Sequence, residues 1–345
     1  MSSQHILVTS MVDEQIPAII ELIQAQERRW KQLDGRLSKV RSIEQIAAMI
    51  QDHLSQESPP LIAVDVQNRV RAYVHPTIWQ LDPEDELRAF FAERNGLARY
   101  LTLPDPADSD AFLVASTLFA ELSLRWNNQQ VYGEMMRWPC CDLWLDKLLH
   151  KQGFLLDSEL AYQRSPINLP EIVTSSNDLQ ARLARPEDEE MLVALFKEEL
   201  VFHEPYTPFV RMSPSVERAF RDRLALLWSG KSLEAGAPLV IVIEQSGKVV
   251  AMAENDLYIV EGGKEEEPYF MPVGYYCHIN NMGVSQELRG RGIGRVLLKA
   301  TVEAFSNVKL DGYILWFNPD NPLSSRFWPR LGFQPLWRTY QRHYK

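Results

Sequence analysis

Residues 287–300, ELRGRGIGRVLLKA, set glycines at 290, 292 and 294 and arginines at 289, 291 and 295 directly before an apolar helical repeat. A strand-like run, YYCHINNMGV at 275–284, leads into them. Strand, glycine-rich turn and helix start together present unpaired backbone N–H groups at the positive end of a helix dipole. Glycine lets the backbone close on an anion, and the arginines add charge. The chemistry expected here is phosphate binding. Two familiar phosphate loops do not fit, because the Walker pattern needs Gly-Lys-Ser/Thr and the dinucleotide fingerprint needs glycine where Arg295 stands.

On the strand before the loop, His278 is a group suited to taking a proton near neutral pH. Asn280, two residues on, is expected on the same face, where it can position a water or an amine. Cys277 adjoins His278, but strand neighbours face opposite ways, so no Cys-His nucleophile is expected. His203 and Glu204, in VFHEPYTPF at 201–209, read as a solvated pair between two helices. They lack HExxH spacing, and no metal site is expected.

RGRGIG at 289–294 fits the Gln/Arg-x-x-Gly-x-Gly/Ala signature of the GNAT superfamily of acyl-CoA N-acyltransferases, which the chain resembles from about residue 180 to 345. NPLSSRFWPRLGF at 321–333 resembles that family's second motif: an asparagine, an aromatic pair, then Leu-Gly-Phe. The resemblance implies acetyl-CoA, or another short acyl-CoA, as co-substrate. Met282, Gly283 and Val284 would then follow the pantetheine arm, and Arg289, Gly290, Arg291, Gly292, Ile293, Gly294 and Arg295 the pyrophosphate. Asn321 matches the family's cofactor-facing asparagine. The implied reaction is direct attack on the thioester by a primary amine of a small molecule or peptide. A catalytically silent acyl-CoA sensor is the alternative.

Two proton problems follow. An alkylammonium of pKa about 10.4 lacks roughly 3.4 units at pH 7, about 4.6 kcal/mol, so the amine needs a base. A leaving thiol of pKa about 8.5 departs as thiolate for about 2 kcal/mol. The resemblance places His278 where some members carry the base. Their usual acid is a tyrosine at the second residue of the aromatic pair, where this chain has Trp328. The acid then falls to Tyr340, Tyr275, Tyr276 or water.

The elements that hold these groups repeat. PPLIAVDVQNRVRAYV at 59–74 lies over APLVIVIEQSGKVVAM at 237–252, and KQGFLLDSELAYQR at 151–164 over RLGFQPLWRTYQRH at 330–343. Each half opens on an acidic amphipathic helix, VDEQIPAIIELIQAQ and RPEDEEMLVALFKEEL. The reading is α/β (α+β), two tandem GNAT-like domains, each a mixed central sheet flanked by helices. The first, 1–168, is degenerate: PDPADSDAFLVAS at 104–116 has neither glycine nor arginine, and its acids would repel a pyrophosphate. Residues 169–179 are a linker and 180–345 the cofactor-binding domain, with VEGGKEEEPYFMPVG at 260–274 a long inserted loop.

Composition sets the outer bounds. With 345 residues, 46% hydrophobic and 24% charged, the chain is globular. No apolar run nears the ~20 residues of a membrane span, and MSSQHILVTSMVDEQ lacks the basic end and apolar run expected of a signal peptide. Three cysteines without CxxC spacing suit a reducing compartment, so a cytoplasmic monomer or homodimer is expected. A net charge of −10 speaks against nucleic acid as a partner.

Overall fold

The computed structural model describes residues 5–37, 40–167, 169, 178–207, 209–231, 233, 236–261 and 271–344. Most of the 169–179 linker and of the 260–274 loop lies outside them.

The first half runs β1 (Leu7–Ser10), α1 (Ile16–Leu33), α2 (Ile43–Leu54), β2 (Leu61–Val64), β3 (Val70–Gln80), β4 (Arg94–Thr102), α3 (Ala111–Asn128), β5 (Gly133–Pro139), α4 (Asp146–Lys151) and β6 (Leu155–Arg164). The second repeats it: β7 (Leu179–Leu183), α5 (Glu189–His203), α6 (Pro214–Trp228), β8 (Leu239–Gln245), β9 (Lys248–Val260), β10 (Gly274–Val284), α7 (Ile293–Ala304), β11 (Gly312–Phe317), α8 (Ser324–Arg330) and β12 (Gln334–His343).

The mixed sheet flanked by helices is as the sequence predicts, with one difference. Both halves share a continuous 12-stranded sheet, ordered β1-β2-β3-β4-β5-β12-β6-β11-β10-β9-β8-β7. The last strand of each half has crossed over: β12 pairs with β5 of the first half, and β6 pairs with β11 of the second. Register makes the exchange symmetric. Gly133 faces His343 and Gly312 faces Arg164, so an offset of 179 maps one contact onto the other. The crossing carries core with it. Trp337 and Tyr340 of β12 are buried among first-half residues such as Trp138, while Ala161 of β6 packs with Cys277 and Ile279. At ~1.5–3 kcal/mol per large apolar side chain buried, these contacts outweigh any surface ion pair between the halves.

Helices cover the second half on two sides. Leu192, Val193 and Phe196 of α5 pack with Phe220 of α6 on Val240, Val242 and Met252, whereas Ile293 and Leu297 of α7 pack on Ile241, Ile243, Ala251 and Ala253. Alternate residues of β8 and β9 thus serve opposite layers, as pleating requires. The first half also grips the α5–α6 connection. Ala89 joins the α5–α6 core, the Arg211 N–H donates to the Ala89 carbonyl at 2.8 Å, and Glu86 pairs with Arg223.

Candidate active site

Strands β10 and β11 pair in parallel over only three residues, Tyr276 to His278 against Gly312 to Ile314. Beyond that they part. On β10 a bulge follows: register against β9 shifts between Ile279 and Asn281, leaving Asn280 as the extra residue. The fork opens a cleft of about 810 Å³ bounded by β10, β11, the C-terminal end of α5, the glycine-rich loop and α8.

The loop is built as its composition predicts. Gly290 and Gly292 take left-handed conformations, φ +78° and +85°, which only glycine adopts without cost. Gly292 is the N-cap of α7, its carbonyl accepting from the Arg295 and Val296 N–H groups at 3.0 and 3.4 Å. The N–H groups of Gly292, Ile293 and Gly294 precede these bonds, have no intrahelical acceptor and stand at the cleft wall. At Gly294 a Cβ would come within 3.2 Å of the Phe327 ring, so glycine lets α7 and α8 approach. A loop with this backbone fits a phosphate-bearing ligand.

Met282, Gly283, Val284, Arg289, Gly290, Arg291, Gly292, Ile293, Gly294, Arg295, Asn280 and Asn321 all line this cleft. The Arg289 side chain is engaged within the protein. Its Nε donates to the Val284 carbonyl at 2.9 Å, its guanidinium pairs with Glu198 at 3.0 Å, and it lies 4.3 Å over the Phe202 ring. It fastens α5 to the loop. Asn321 is buried; its side-chain oxygen accepts from Leu323 N–H at 3.0 Å and orders the entry to α8.

His278 lies outside the cleft lining. Its Nδ1 is 3.1 Å from the Asp256 carboxylate, and its ring meets the edge of Trp316, a cleft residue, at 4.9 Å. The bulge at Asn280 also breaks the alternation that would have kept it on the face of His278. Tyr340 is apart altogether, fully buried on β12 with its hydroxyl bonded to Asp146. Burial and that carboxylate push its pKa up, so the reading of Tyr340 as an acid is corrected to that of a core residue. Trp328 packs on Phe327 and Phe333, and the Tyr276 hydroxyl donates to the Pro272 carbonyl. No tyrosine borders the cleft among the described residues.

Sequence reasoning missed the α5 side. Glu199 and His203, one helical turn apart, both face the cleft, whereas Glu204 is exposed. Glu199 Oε1 accepts the Met282 N–H at 3.3 Å. His203 Nε2 is 3.9 Å from that oxygen, and its Nδ1 is 3.4 Å from Asn321 Nδ2. Burial lowers the His203 pKa to about 4, leaving it neutral, and raises that of Glu199 to about 7. A signal was available: laid over α1, these two positions fall on Gln26 and Trp30.

Residues 192–333 match the model of the acetyltransferase (GNAT) family. The second half of the chain thus fits the GNAT superfamily. A GCN5-related N-acetyltransferase from Sphaerobacter thermophilus superposes over 98% of this chain and 95% of its own, with a TM-score of 0.53 and 15% identity. A GCN5-related glucosamine N-acetyltransferase region of a fungal multi-domain GH3 beta-N-acetylglucosaminidase gives a TM-score of 0.51 at 13% identity, over 99% of this chain and 38% of that one. At such identities they establish the fold, and they do so across both halves. No curated protein matches the chain in sequence. GNAT family and fold support acyl transfer in general.

Proposed function

We propose that the protein is an N-acyltransferase that carries an acetyl or other short acyl group from acyl-CoA to a primary amine by direct attack. The observation that carries this is the pair of left-handed glycines, 290 and 292, opening a helix N-terminus onto the mouth of a strand fork. Acyl-CoA would supply an activated carbonyl; the chain supplies grip, alignment and proton transfer. The N–H groups of Gly292 to Gly294 with Arg291 and Arg295 would hold the diphosphate, and the parted edge of β10 would align the extended arm.

His278 is the base of this reading. Asp256 accepts its Nδ1–H, which leaves Nε2 to take the proton of the amine, directly or through a water at the Trp316 edge. Asp256 also steadies the imidazolium that forms. His278→Ala should lower turnover about tenfold to a hundredfold below neutral pH, where the amine is most fully protonated, and leave CoA affinity unchanged. Wild-type rates across pH would remove His278 from the mechanism.

That no tyrosine borders the cleft among the described residues favours a second reading, an acyl-CoA sensor without turnover. Calorimetry with coenzyme A and a thiol-release assay with acetyl-CoA over small amines and peptides separate the two. Binding with turnover of any amine supports transfer, binding without turnover the sensor. No binding of coenzyme A overturns both.

A further inference from the structure

The Glu199 carboxyl lies against the edge of β10 between the bulge and the glycine-rich loop. Its Oε1 takes the Met282 N–H, while Oε2 is shut off from water and has no hydrogen-bond partner in the protein. The groups around it do little to favour a negative charge. His203 on α5 is neutral. Glu254 on β9 is a second carboxyl group, and Arg223 and Asn281 donate to it. Arg289 is a nearby cation, and its guanidinium is paired with Glu198. Burial pushes the Glu199 pKa up to about 7, Glu254 adding to the rise against the pull of the Met282 N–H and Arg289.

The other half shows what this position accepts. Gln26 of α1 occupies it: its Oε1 accepts the Leu103 N–H at 2.9 Å and its Nε2 donates to the Leu101 carbonyl at 2.9 Å. Register against the flanking strands carries Leu101 onto Met282 and Leu103 onto Val284, so Gln26 bridges two residues of the strand edge that Glu199 touches at one. The place therefore suits a neutral side chain with one acceptor and one donor, which for a glutamic acid is the protonated form. Gln26 spends its donor within the protein. Glu199 has a donor position with no protein partner, in the wall of a cleft.

Taking the acyl-CoA reading as its basis, we propose that neutral Glu199 donates its Oε2–H to the thioester carbonyl oxygen of the bound acyl group. The chemistry selects that atom. The amides of the arm each carry a donor beside an acceptor and can pair with a strand edge, whereas a thioester carbonyl has no N–H beside it and needs a donor alone. An ionised carboxylate would meet the carbonyl oxygen acceptor to acceptor and repel it. As the amine nitrogen bonds to the carbonyl carbon, the C=O electron pair moves onto oxygen, then returns as the C–S bond breaks and the thiolate leaves. The amine's proton goes to the base, and Glu199 keeps its own throughout. Its hydrogen bond strengthens as charge gathers on the oxygen.

The test compares acetyl-CoA with S-ethyl-CoA, which keeps the phosphates and amides but lacks the thioester carbonyl. Calorimetric affinities of both are measured from about pH 5.5 to 8.5 for wild type, Glu199→Gln and Glu199→Ala. Wild type should prefer acetyl-CoA about tenfold at the acid end, falling toward parity at the alkaline end as the acid ionises. Glu199→Gln should keep the preference at every pH, and Glu199→Ala should lose most of it at every pH. Titration of the ligands' own phosphates cancels in the ratio. A pH-independent ratio in wild type, or the same fall in Glu199→Gln, overturns the inference. A pH effect that Glu199→Gln removes equally for both ligands moves the bond to another atom of the arm and overturns the thioester assignment. Failure of either ligand to bind at any pH brings down the acyl-CoA reading itself, and this inference with it.

Discussion

The two halves hold the same positions around the same strand fork, and the first has closed what the second leaves open. In the second, Glu199, His203 and Asn321 line a cleft. In the first, Gln26 bridges Leu101 and Leu103, and the Trp30 indole N–H donates to Asp142 at 2.9 Å, while Arg29 grips both Asp142 oxygens at 2.8 and 2.7 Å. Trp30 then stacks edge-on to Trp138 and Trp337 and fills the space. The loops diverge likewise. Helix α3 begins at Ala111, about one turn earlier in the repeat than α7 begins at Ile293. Ala111, Leu113 and Ala115 stand where the second half has Gly290, Gly292 and Gly294. The extra helical turn uses up the N–H groups that α7 leaves for an anion. A shared fold thus becomes a site or a scaffold by a few choices at a helix start and one helix face.

The largest effect should come from giving the second loop the first loop's residue type. Gly292→Val puts a β-branched side chain at φ +85°, costing ~1–2 kcal/mol or more in the backbone alone, and sets a methyl pair where the anion would approach. Coenzyme A affinity should fall about a hundredfold by calorimetry while the melting temperature drops only a few degrees. Unchanged affinity would detach this loop from the cofactor. A smaller loss should follow from copying the closing pair: His203→Trp with Asn321→Asp recreates the Trp30–Asp142 bond and narrows the cleft. Affinity should fall about tenfold to thirtyfold, with thermal stability kept or raised. Retained affinity would mean that the α5 wall does not border the ligand.

Much of this comparison is legible in the sequence, and the parts that are not share a cause. The glycine-rich loop, Asn321 and the repeat announce themselves locally, because helix starts and turns depend on residues within a few positions of one another. The exchange of β6 and β12 leaves no such mark. Both strands carry Tyr-Gln-Arg, at 162–164 and 340–342, so a local reading finds either strand equally fit to close its own half or the other. Glu199 is hidden for a related reason. Along α5 it is one of several acids, and its burial is set by a bulge some eighty residues away. Alternation also misleads on β12, where register shifts at Pro335/Trp337 and Thr339/Tyr340 decide which side chains face inward.

Tyr340 gives the smallest and most discriminating effect, because it separates a core role from a chemical one at the seam between the halves. Its hydroxyl and the Arg338 guanidinium share the Asp146 carboxylate, a second-half strand gripping a first-half helix. Tyr340→Phe keeps the ring and removes one hydrogen bond to a carboxylate that retains its arginine. Stability should therefore fall by only about 1 kcal/mol, a shift of roughly 2 °C or less in melting temperature for a chain of this size. Acyl transfer should stay within about twofold of wild type, since nothing at Asp146 borders the cleft. A fall in turnover beyond tenfold with melting unchanged would return Tyr340 to the reaction and tie the scaffold half to the chemistry of the other.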